Sequence, residues 1–388
     1  PWPARDLGRV ERMAYPSVCM LSASFAPTLG GTERQCQLLS KWLAGAGIPV
    51  AVLTRGRGKG IGLPRSPFPV HRIAGGGLGY ALLGACWLAA YGRRFSILHA
   101  HQALSPALAA LLAKRLRPRY RVVVKVACSG AWSDFRLAQD RPMYRRRMAM
   151  LGAVDRFVVL NSESAAELEA VGLGAGRTCL IPNGVDVRRF VPAEPAERTG
   201  LRSRLGIPQG VPVALFVGRL ERRKGLDILF AAWAELVRRA DAPRLLIAGP
   251  GEAGPWLREA RTHAVEGAVT FLGGRADVAE LYRAADLLVF PSRAEGCPNV
   301  VLEAMASGLP VVATDVAGNR EAVGEDGNAG RLVPAEDPAA LAEAVATLTA
   351  SPALRRELAA SARERILKRF DIDRVGAQYL SLYEALRA

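Results

Sequence analysis

"DLLVFPSRAEGCPNVVLEAMASGLPVVAT", residues 286–314, reads as a strand, a helix and a second strand. The apolar run DLLVF gives way to Pro-Ser-Arg, and the helical spacing of PNVVLEAMASG closes on Gly308, a residue able to take the left-handed conformation that ends a helix. LPVVAT then begins another apolar run. Strands that are apolar throughout and joined by a helix lie parallel and are covered on both faces, so the stretch is a crossover unit of an α/β domain.

The same rhythm runs outward in both directions. Upstream are SVCML, PVAVL, FPVHRI, SILHA, RVVVKV, RFVVL and TCLIP, then PVALFVG, RLLIAG and AVTFLG, and downstream is AGRLVP. The stretch VPAEPAERTG (191–200) interrupts the pattern with Pro, Glu and Ala, and predicts a seam between two doubly wound domains, 1–192 and 193–370. From Pro352 onward two helices are expected, broken at FDIDR, where Asp373 is placed to cap the second.

Composition sets the outer limits. The chain has 388 residues, 50% hydrophobic and 23% charged, which suits a globular protein of two domains. Residues 1–195 hold 27 Lys+Arg against 11 Asp+Glu, whereas 196–388 hold 25 of each, so the whole net charge of +16 belongs to the first half. Its densest stretches are AKRLRPRYRVVVK (113–125) and RPMYRRRM (141–148). Nucleic acid, an anionic membrane leaflet or a phosphorylated small molecule would each exploit such a field; a solvated basic face needs none of them.

The longest apolar run, LGYALLGACWLAAYG (78–92), falls short of the roughly 20 residues that cross a bilayer. It is expected to be a buried core helix, with a helix lying on a membrane surface as the alternative because Arg93 and Arg94 follow it. Six cysteines without a CxxC pair read as reduced, mostly buried thiols of a cytosolic protein, and no Cys/His cluster has metal-ligand spacing. Residues 1–16 carry charges and no apolar signal-peptide core, and Met13 is the expected start.

Five places carry chemistry. Glu295 falls at the carboxyl end of a strand, where open α/β sheets bind ligands, and Glu303 lies in the helix that follows, whose first N–H groups near Asn299 to Val301 suit an anion. Taken singly, each acid is explained as a loop or helix-turn charge. In LFVGRLERRKGLDIL a strand ends at Gly218, and Arg219 and Lys224 on the loop suit a diphosphate, with Arg222 and Arg223 as solvated neighbours. GPGEAG (249–254) imitates a dinucleotide fingerprint, but about 20 residues on stand Gly273 and Gly274 in place of the acid that a nicotinamide enzyme uses on its ribose. Gly249 and Gly251 are therefore a tight turn that lets backbone approach a ligand. FSILHAH places His99 and His101 on one face of a strand, with His101 nearer the loop, and Gly30 and Gly31 bring backbone N–H groups to a strand end.

In this order the segments FAPTLGGTE, LHAH, IPNGVDVRRF, VGRLERRKG, IAGPGE, TFLGG and LVFPSRAEGCPNVVLEAMASGLPVVATDVAGNRE resemble the retaining nucleotide-sugar glycosyltransferases of family 4 over nearly the whole chain. The resemblance implies a GT-B fold: two Rossmann-like domains facing a central cleft, an N-terminal acceptor-binding one and a C-terminal donor-binding one, with a final helix (371–388) packing back on the first. It implies that Glu295 contacts the donor sugar, Glu303 the ribose, Arg219 and Lys224 the diphosphate, and that His101 is the active-site histidine. Gly30, Gly31, Gly218, Gly249, Gly251, Gly296, Cys297, Pro298, Asn299, Val300 and Val301 would line the donor, with the nucleobase near the backbone of Leu272. Such enzymes need no metal or cofactor, the nucleoside diphosphate sugar being a co-substrate.

Two positions depart from the family's pattern. Cys297 stands where Phe or Leu is frequent, and Cys128 where a histidine often follows the fifth strand, which leaves the acceptor open. Cys128 with Arg145, Arg146 and Arg147 forms the expected acceptor side. The expected activity is transfer of a hexosyl or N-acetylhexosaminyl group to a hydroxyl acceptor, a polyprenyl-linked or surface-polysaccharide intermediate at the inner membrane face, with the protein cytoplasmic and peripheral and without nucleic acid. A sugar-nucleotide epimerase of the same fold, a pyridoxal-phosphate phosphorylase and a nucleic-acid-binding protein are the alternatives.

Overall fold

The computed structural model describes residues 15–26, 30–56, 66–133, 135–139 and 144–387. Met13, residues 27–29 of the glycine-loop stretch and residues 141–143 of the second basic stretch lie outside the described residues. The chain divides into two compact units, Pro1–Gly184 with Ile372–Ala388, and Val185–Asp371.

The first unit carries strands β1 (Val18–Ser22), β2 (Val50–Arg55), β3 (Val70–Ile73), β4 (Ile97–His101), β5 (Arg121–Lys125), β6 (Arg156–Val159) and β7 (Thr178–Leu180). All pair in parallel in the order β3-β2-β1-β4-β5-β6-β7. The second unit carries β8 (Val213–Val217), β9 (Arg244–Ala248), β10 (Val269–Gly273), β11 (Leu287–Phe290), β12 (Val311–Thr314) and β13 (Arg331–Val333), again all parallel, in the order β10-β9-β8-β11-β12-β13. Every run read as a strand from the sequence is one. Central strands such as β8 and β11 are buried from end to end, which is why they are apolar at every position and show no alternation.

Strand order reverses between β1 and β4 in one unit and between β8 and β11 in the other. Loops leaving the carboxyl ends of two such strands diverge to opposite faces of the sheet and leave a crevice, the place where open α/β sheets bind ligands.

Within the stretch 191–200, read as a seam, Pro195–Leu205 is a helix of the second unit, opened by a proline whose missing N–H costs nothing in the first turn. Arg198 and Arg202 from this helix each donate to the Asp286 carboxylate at 2.5 Å, and Val213 N–H donates to it at 2.7 Å. Burial would raise the Asp286 pKa, but the two guanidiniums hold it below the usual carboxylate range.

Two further expectations need correction. Helix α1 (Gly31–Gly45) receives the final helix, Ile372–Ala385, through Gly376, whose missing side chain admits the Trp42 ring. Asp373 lies inside the first turn of that final helix and accepts a hydrogen bond from Trp42 Nε1 (2.9 Å), so it ties the helix to α1 and does not cap it. Helix α2 (Gly77–Tyr91) is not a buried core helix: Tyr80, Ala81, Gly84, Ala85 and Leu88 are buried, while Leu78, Leu82, Leu83 and Cys86 face solvent. One side of it packs on helix α3 (Ser105–Leu116) and the other is open among the described residues.

Candidate active site

In the second unit, β8 and β11 deliver their following loops to the point where strand order reverses. After β8 the chain runs through Gly218 and Arg219 into a 3-10 turn, Arg222–Lys224, and then Gly225 in the left-handed region (φ 73°). A Cβ at Gly225 would lie 1.9 Å from the Pro291 carbonyl oxygen, so only glycine lets the two loops touch. That contact sets Lys224 Nζ 2.5 Å from Glu295 Oε1 across 71 residues of sequence. Ser292 Oγ donates to the same oxygen (2.5 Å), and Arg223 Nη1 stands 3.8 Å away. Glu295 is 8% exposed, and Lys224 sits over the Phe290 ring at 5.1 Å.

Arg219 is different. Its side chain is 59% exposed and reaches Glu221 at 3.2 Å, so it stands at the solvent side of the same loop. Arg223, expected to be a solvated neighbour, is largely buried; it bonds the Ala294 carbonyl (2.9 Å) and Glu221 (3.1 Å) and so fixes the backbone that carries Glu295. Arg222 is exposed, as its position in the turn dictates.

Arg293 completes the clamp, and the sequence reading gave it no role. Its guanidinium engages both oxygens of Asp227, at 2.9 Å each, and both oxygens of Glu336, at 2.6 and 2.8 Å. Burial pushes the Asp227 pKa up, and the Arg293 bonds more than offset it, leaving the carboxyl below its ordinary range. On the other flank, a Cβ at Gly318 would lie 2.5 Å from the Glu295 carbonyl oxygen, and Thr314 Oγ1 donates to the Ser292 carbonyl at 2.5 Å. The backbone around Glu295 is therefore held from three sides.

Glu303 lies in the helix Asn299–Ala306, which starts after Pro298. It is 7% exposed, and Tyr282 Oη–H donates to its Oε2 at 3.0 Å. Val301 N–H bonds the Pro298 carbonyl (3.1 Å), so of the three positions expected to offer N–H groups Val301 has spent its own. Cys297 is buried at 4% exposure and Val300 is half-buried.

Gly249 and Gly251 have an intramolecular reason to be glycine. A Cβ at Gly249 would lie 1.7 Å from the Gly218 carbonyl oxygen, and Gly251 (φ 136°) is pressed against Leu220. The turn lets two strand-end loops approach each other. Leu272 lines a small cavity together with Ile207, Val213, Leu281, Arg244 and Arg275.

In the first unit the reversal point holds Gly30 and Gly31 at the start of α1 and His101 at the end of β4. A Cβ on Gly30 would lie 2.6 Å from a Glu33 carboxylate oxygen, so the glycine makes room for that acid, whose other oxygen takes the Ser24 hydroxyl. His101 and His99 are fully buried and stacked, with ring centroids 4.4 Å apart. His99 Nδ1 shares a hydrogen bond with Tyr383 Oη (2.7 Å), which makes it the core histidine expected of it. Neither nitrogen of His101 has a partner among the described residues.

Burial first, and the Lys125 charge second, lower the His99 pKa to about 3; burial, His99 and Lys125 hold His101 well below its ordinary value. Both rings are neutral at pH 7. Immediately after His101, Gln102 has φ 119°, a backbone outlier of a kind that collects at functional sites and costs on the order of 1–3 kcal/mol. No sequence signal announced it.

Cys128 is half-buried in the loop after β5, and its thiol approaches the Ser129 carbonyl (3.6 Å). Arg145 and Arg146 are exposed and Arg147 is half-buried on the helix Tyr144–Leu151. These residues belong to the first unit, as Arg219, Lys224, Glu295 and Glu303 belong to the second.

Two parallel doubly wound sheets, with cations after β8 and acids after β11, define a glycosyltransferase of the GT-B fold. Residues 29–189 match the family described as Glycosyltransferase Family 4, and residues 211–351 match Glycosyl transferases group 1. Over 311 residues the chain is 32% identical to the D-inositol 3-phosphate glycosyltransferase of Corynebacterium urealyticum, covering 76% of this chain and 73% of that one. The chain belongs to glycosyltransferase family 4. Its fold is also that of HepE from Anabaena, solved with UDP and glucose (TM-score 0.79, 21% identity, 96% of this chain and 100% of that one). Sucrose-phosphate synthase from Thermosynechococcus elongatus is as similar in fold (TM-score 0.79, 25% identity, 95% and 99%).

Proposed function

We propose that this glycosyltransferase moves a hexosyl or N-acetylhexosaminyl group from a nucleoside diphosphate sugar to a hydroxyl acceptor, with retention at the anomeric carbon and without a metal. The observation that carries the reading is the Lys224–Glu295 pair at the reversal point of the second sheet, with Arg219 on the same loop. Arg219 and Lys224 hold the diphosphate and take up the charge that develops as its bond to the anomeric carbon breaks. Glu295 orients the sugar hydroxyls, and Glu303, pinned by Tyr282, grips the ribose. His101, neutral and with both nitrogens unspent among the described residues, serves the sugar as donor or acceptor.

Glu295 is a poor nucleophile in this setting, because one of its oxygens already takes Lys224 and Ser292. The reading is therefore a front-face route. The anomeric C–O bond to the diphosphate breaks as the acceptor oxygen attacks on the same side, and the acceptor proton passes to the departing phosphate oxygen. Trapping of a covalent sugar on Glu295 would replace this route with a double displacement.

The acceptor is placed against the basic first unit, with Cys128 and Arg145 to Arg147 on its side, as a lipid-linked diphosphate sugar at the inner face of a membrane. The protein itself is cytoplasmic and peripheral. A soluble phosphorylated polyol is a second reading, favoured by the name of the Corynebacterium relative, and it shares the anionic group beside a hydroxyl. Thermal-shift or calorimetric binding of uridine, guanosine and adenosine diphosphate sugars tests the donor; UDP-sugars are expected to bind, and no stabilisation by any of them removes the reading. Transfer to inositol phosphate or to a polyprenyl-diphosphate sugar separates the two acceptors. Conversion of the donor to an epimer without acceptor would make the protein an epimerase.

A further inference from the structure

Helix α2, GLGYALLGACWLAAY, has no charged residue in fifteen. Its inward sector packs on α3 and the sheet: a Cβ at Gly84 would lie 3.5 Å from Ala109 and 3.6 Å from Leu53. A helix with one side in a core normally shows polar residues on the other. Here the outward sector shows Leu78 (52% exposed), Leu82 (50%) and Leu83 (52%), then Cys86 and, at the end, Tyr91 (69%). Leu116, ending α3, is 60% exposed.

A basic rim borders this face at one end. Arg93 and Arg94 follow α2 directly in a 3-10 turn. Arg119 donates to the Arg93 carbonyl and Tyr120 Oη–H donates to the Leu88 carbonyl (2.8 Å), which fastens the α3–β5 connection, with Arg115 and Arg117, near the same helix end. Lys114 in α3 and Arg121 in β5 are spent on Asp155 (2.6 and 3.7 Å), but Arg93, Arg94, Arg115, Arg117 and Arg119 have no carboxylate partner among the described residues.

We infer that the outward face of α2 lies on an anionic lipid bilayer, its leucines entering the boundary between headgroups and acyl chains and the five arginines meeting lipid phosphates. The inference rests on the membrane-surface reading given above and supplies the surface which that reading lacked. Charge complementarity selects the occupant. A second copy of this face would bring no carboxylate to the arginines, whereas an anionic leaflet neutralises them and accepts the leucines in one contact. A fifteen-residue helix is too short to span, and lying flat it presents its whole outward sector at one depth.

The test uses the full chain and vesicles of phosphatidylcholine with and without phosphatidylglycerol, read by co-sedimentation. Wild type should bind the anionic vesicles alone. Leu82→Ser with Leu83→Ser should weaken binding about tenfold or more. Arg93→Gln with Arg94→Gln should weaken it about 25-fold, from roughly fivefold per arginine. Both variants should keep the wild-type thermal shift with donor, which shows that they fold. A bimane label on Cys86 should shift to the blue with anionic vesicles, with Cys86→Ser as the control for labelling elsewhere.

If wild type ignores both vesicle types, the membrane reading and this inference fail together. If wild type binds and the leucine variant binds equally well, this inference alone fails. If wild type is a dimer without lipid and the leucine variant a monomer, the face belongs to a second copy and the inference is overturned.

Discussion

Lys224 and Glu295 meet at 2.5 Å, the nitrogen of one against an oxygen of the other, although 71 residues separate them in the chain. The contact depends on Gly225 letting the β8 loop touch Pro291, so the two halves of the site are positioned by backbone before any ligand arrives. Glu295 keeps Ser292, and Arg223 at 3.8 Å, if Lys224 is removed. Lys224→Met is therefore expected to lower kcat by about 100-fold or more while the melting temperature moves little. Kinetics and calorimetry on the same preparation check this; equal damage to both would make Lys224 a structural residue. The double variant Lys224→Met with Glu295→Gln should cost less than the sum of the single changes.

In the proposed donor site Tyr282 acts through Glu303, to which it donates. Replacing it with Phe removes one hydrogen bond to a buried carboxylate, a loss of about 1.5 kcal/mol or more that should appear as donor affinity weakened roughly tenfold or more with kcat nearly unchanged. Calorimetric titration with nucleoside diphosphate and with the sugar-bearing donor should show the same loss, because the contact is to the ribose side.

Gly318 makes a sharper test of how the Glu295 backbone is held. The atom a new Cβ would strike is the Glu295 carbonyl oxygen, 2.5 Å away, and a backbone atom cannot rotate aside. Gly318→Ala should lower activity at least tenfold and cost about 1–3 kcal/mol of stability. Gly45→Ala is the contrast: nothing lies within 4 Å, and the change should leave activity intact and stabilise by about 0.4–1 kcal/mol.

The stacked histidines give the first unit a pH dependence whose sign is fixed. His99 titrates near 3 in the folded chain against 6.5 as its ordinary value, so between those values the unfolded chain binds the extra proton. Stability is unaffected by this group above about pH 6.5 and falls as pH drops toward 3, by about 1.4 kcal/mol per pH unit while the difference persists. Thermal unfolding between pH 7.5 and pH 5 should show the fall, and His99→Phe should reduce it by about half, His101 supplying the rest. An unchanged slope in that variant would place the proton uptake elsewhere.

Most of the fold was legible because a central strand buried on both faces is apolar at nearly every position, and the partly buried edge strands β3, β7, β10 and β13 could be read from their place between helices. The site motifs were legible for a related reason: Arg219, Lys224, Glu295 and Glu303 follow strand ends, and residue type at a strand end is decided by chemistry more than by packing. What supports those residues was not legible. Arg293 and Arg223 read as surface charge in sequence, and only the fold brings Asp227, Glu336 and the Ala294 carbonyl within their reach. The exposure of α2 was hidden for the opposite reason, since a helix without charges reads as buried whatever covers it. The helix Pro195–Leu205, which begins inside the stretch read as a seam, was not legible because its partner, Asp286, lies more than eighty residues away.

The final helix, Ile372–Ala385, supplies Tyr383 to His99, Gly376 to Trp42 and, just beyond it, the Leu386 carbonyl to Arg121. During translation the ribosome therefore completes the entire second unit before it delivers the segment that seals the first. The amino-terminal unit must wait, with the ground under its histidine pair uncovered, until that segment has been made. A stalled or clipped nascent chain would thus leave the earlier-made unit exposed to chaperones and proteases while the later-made one is already closed.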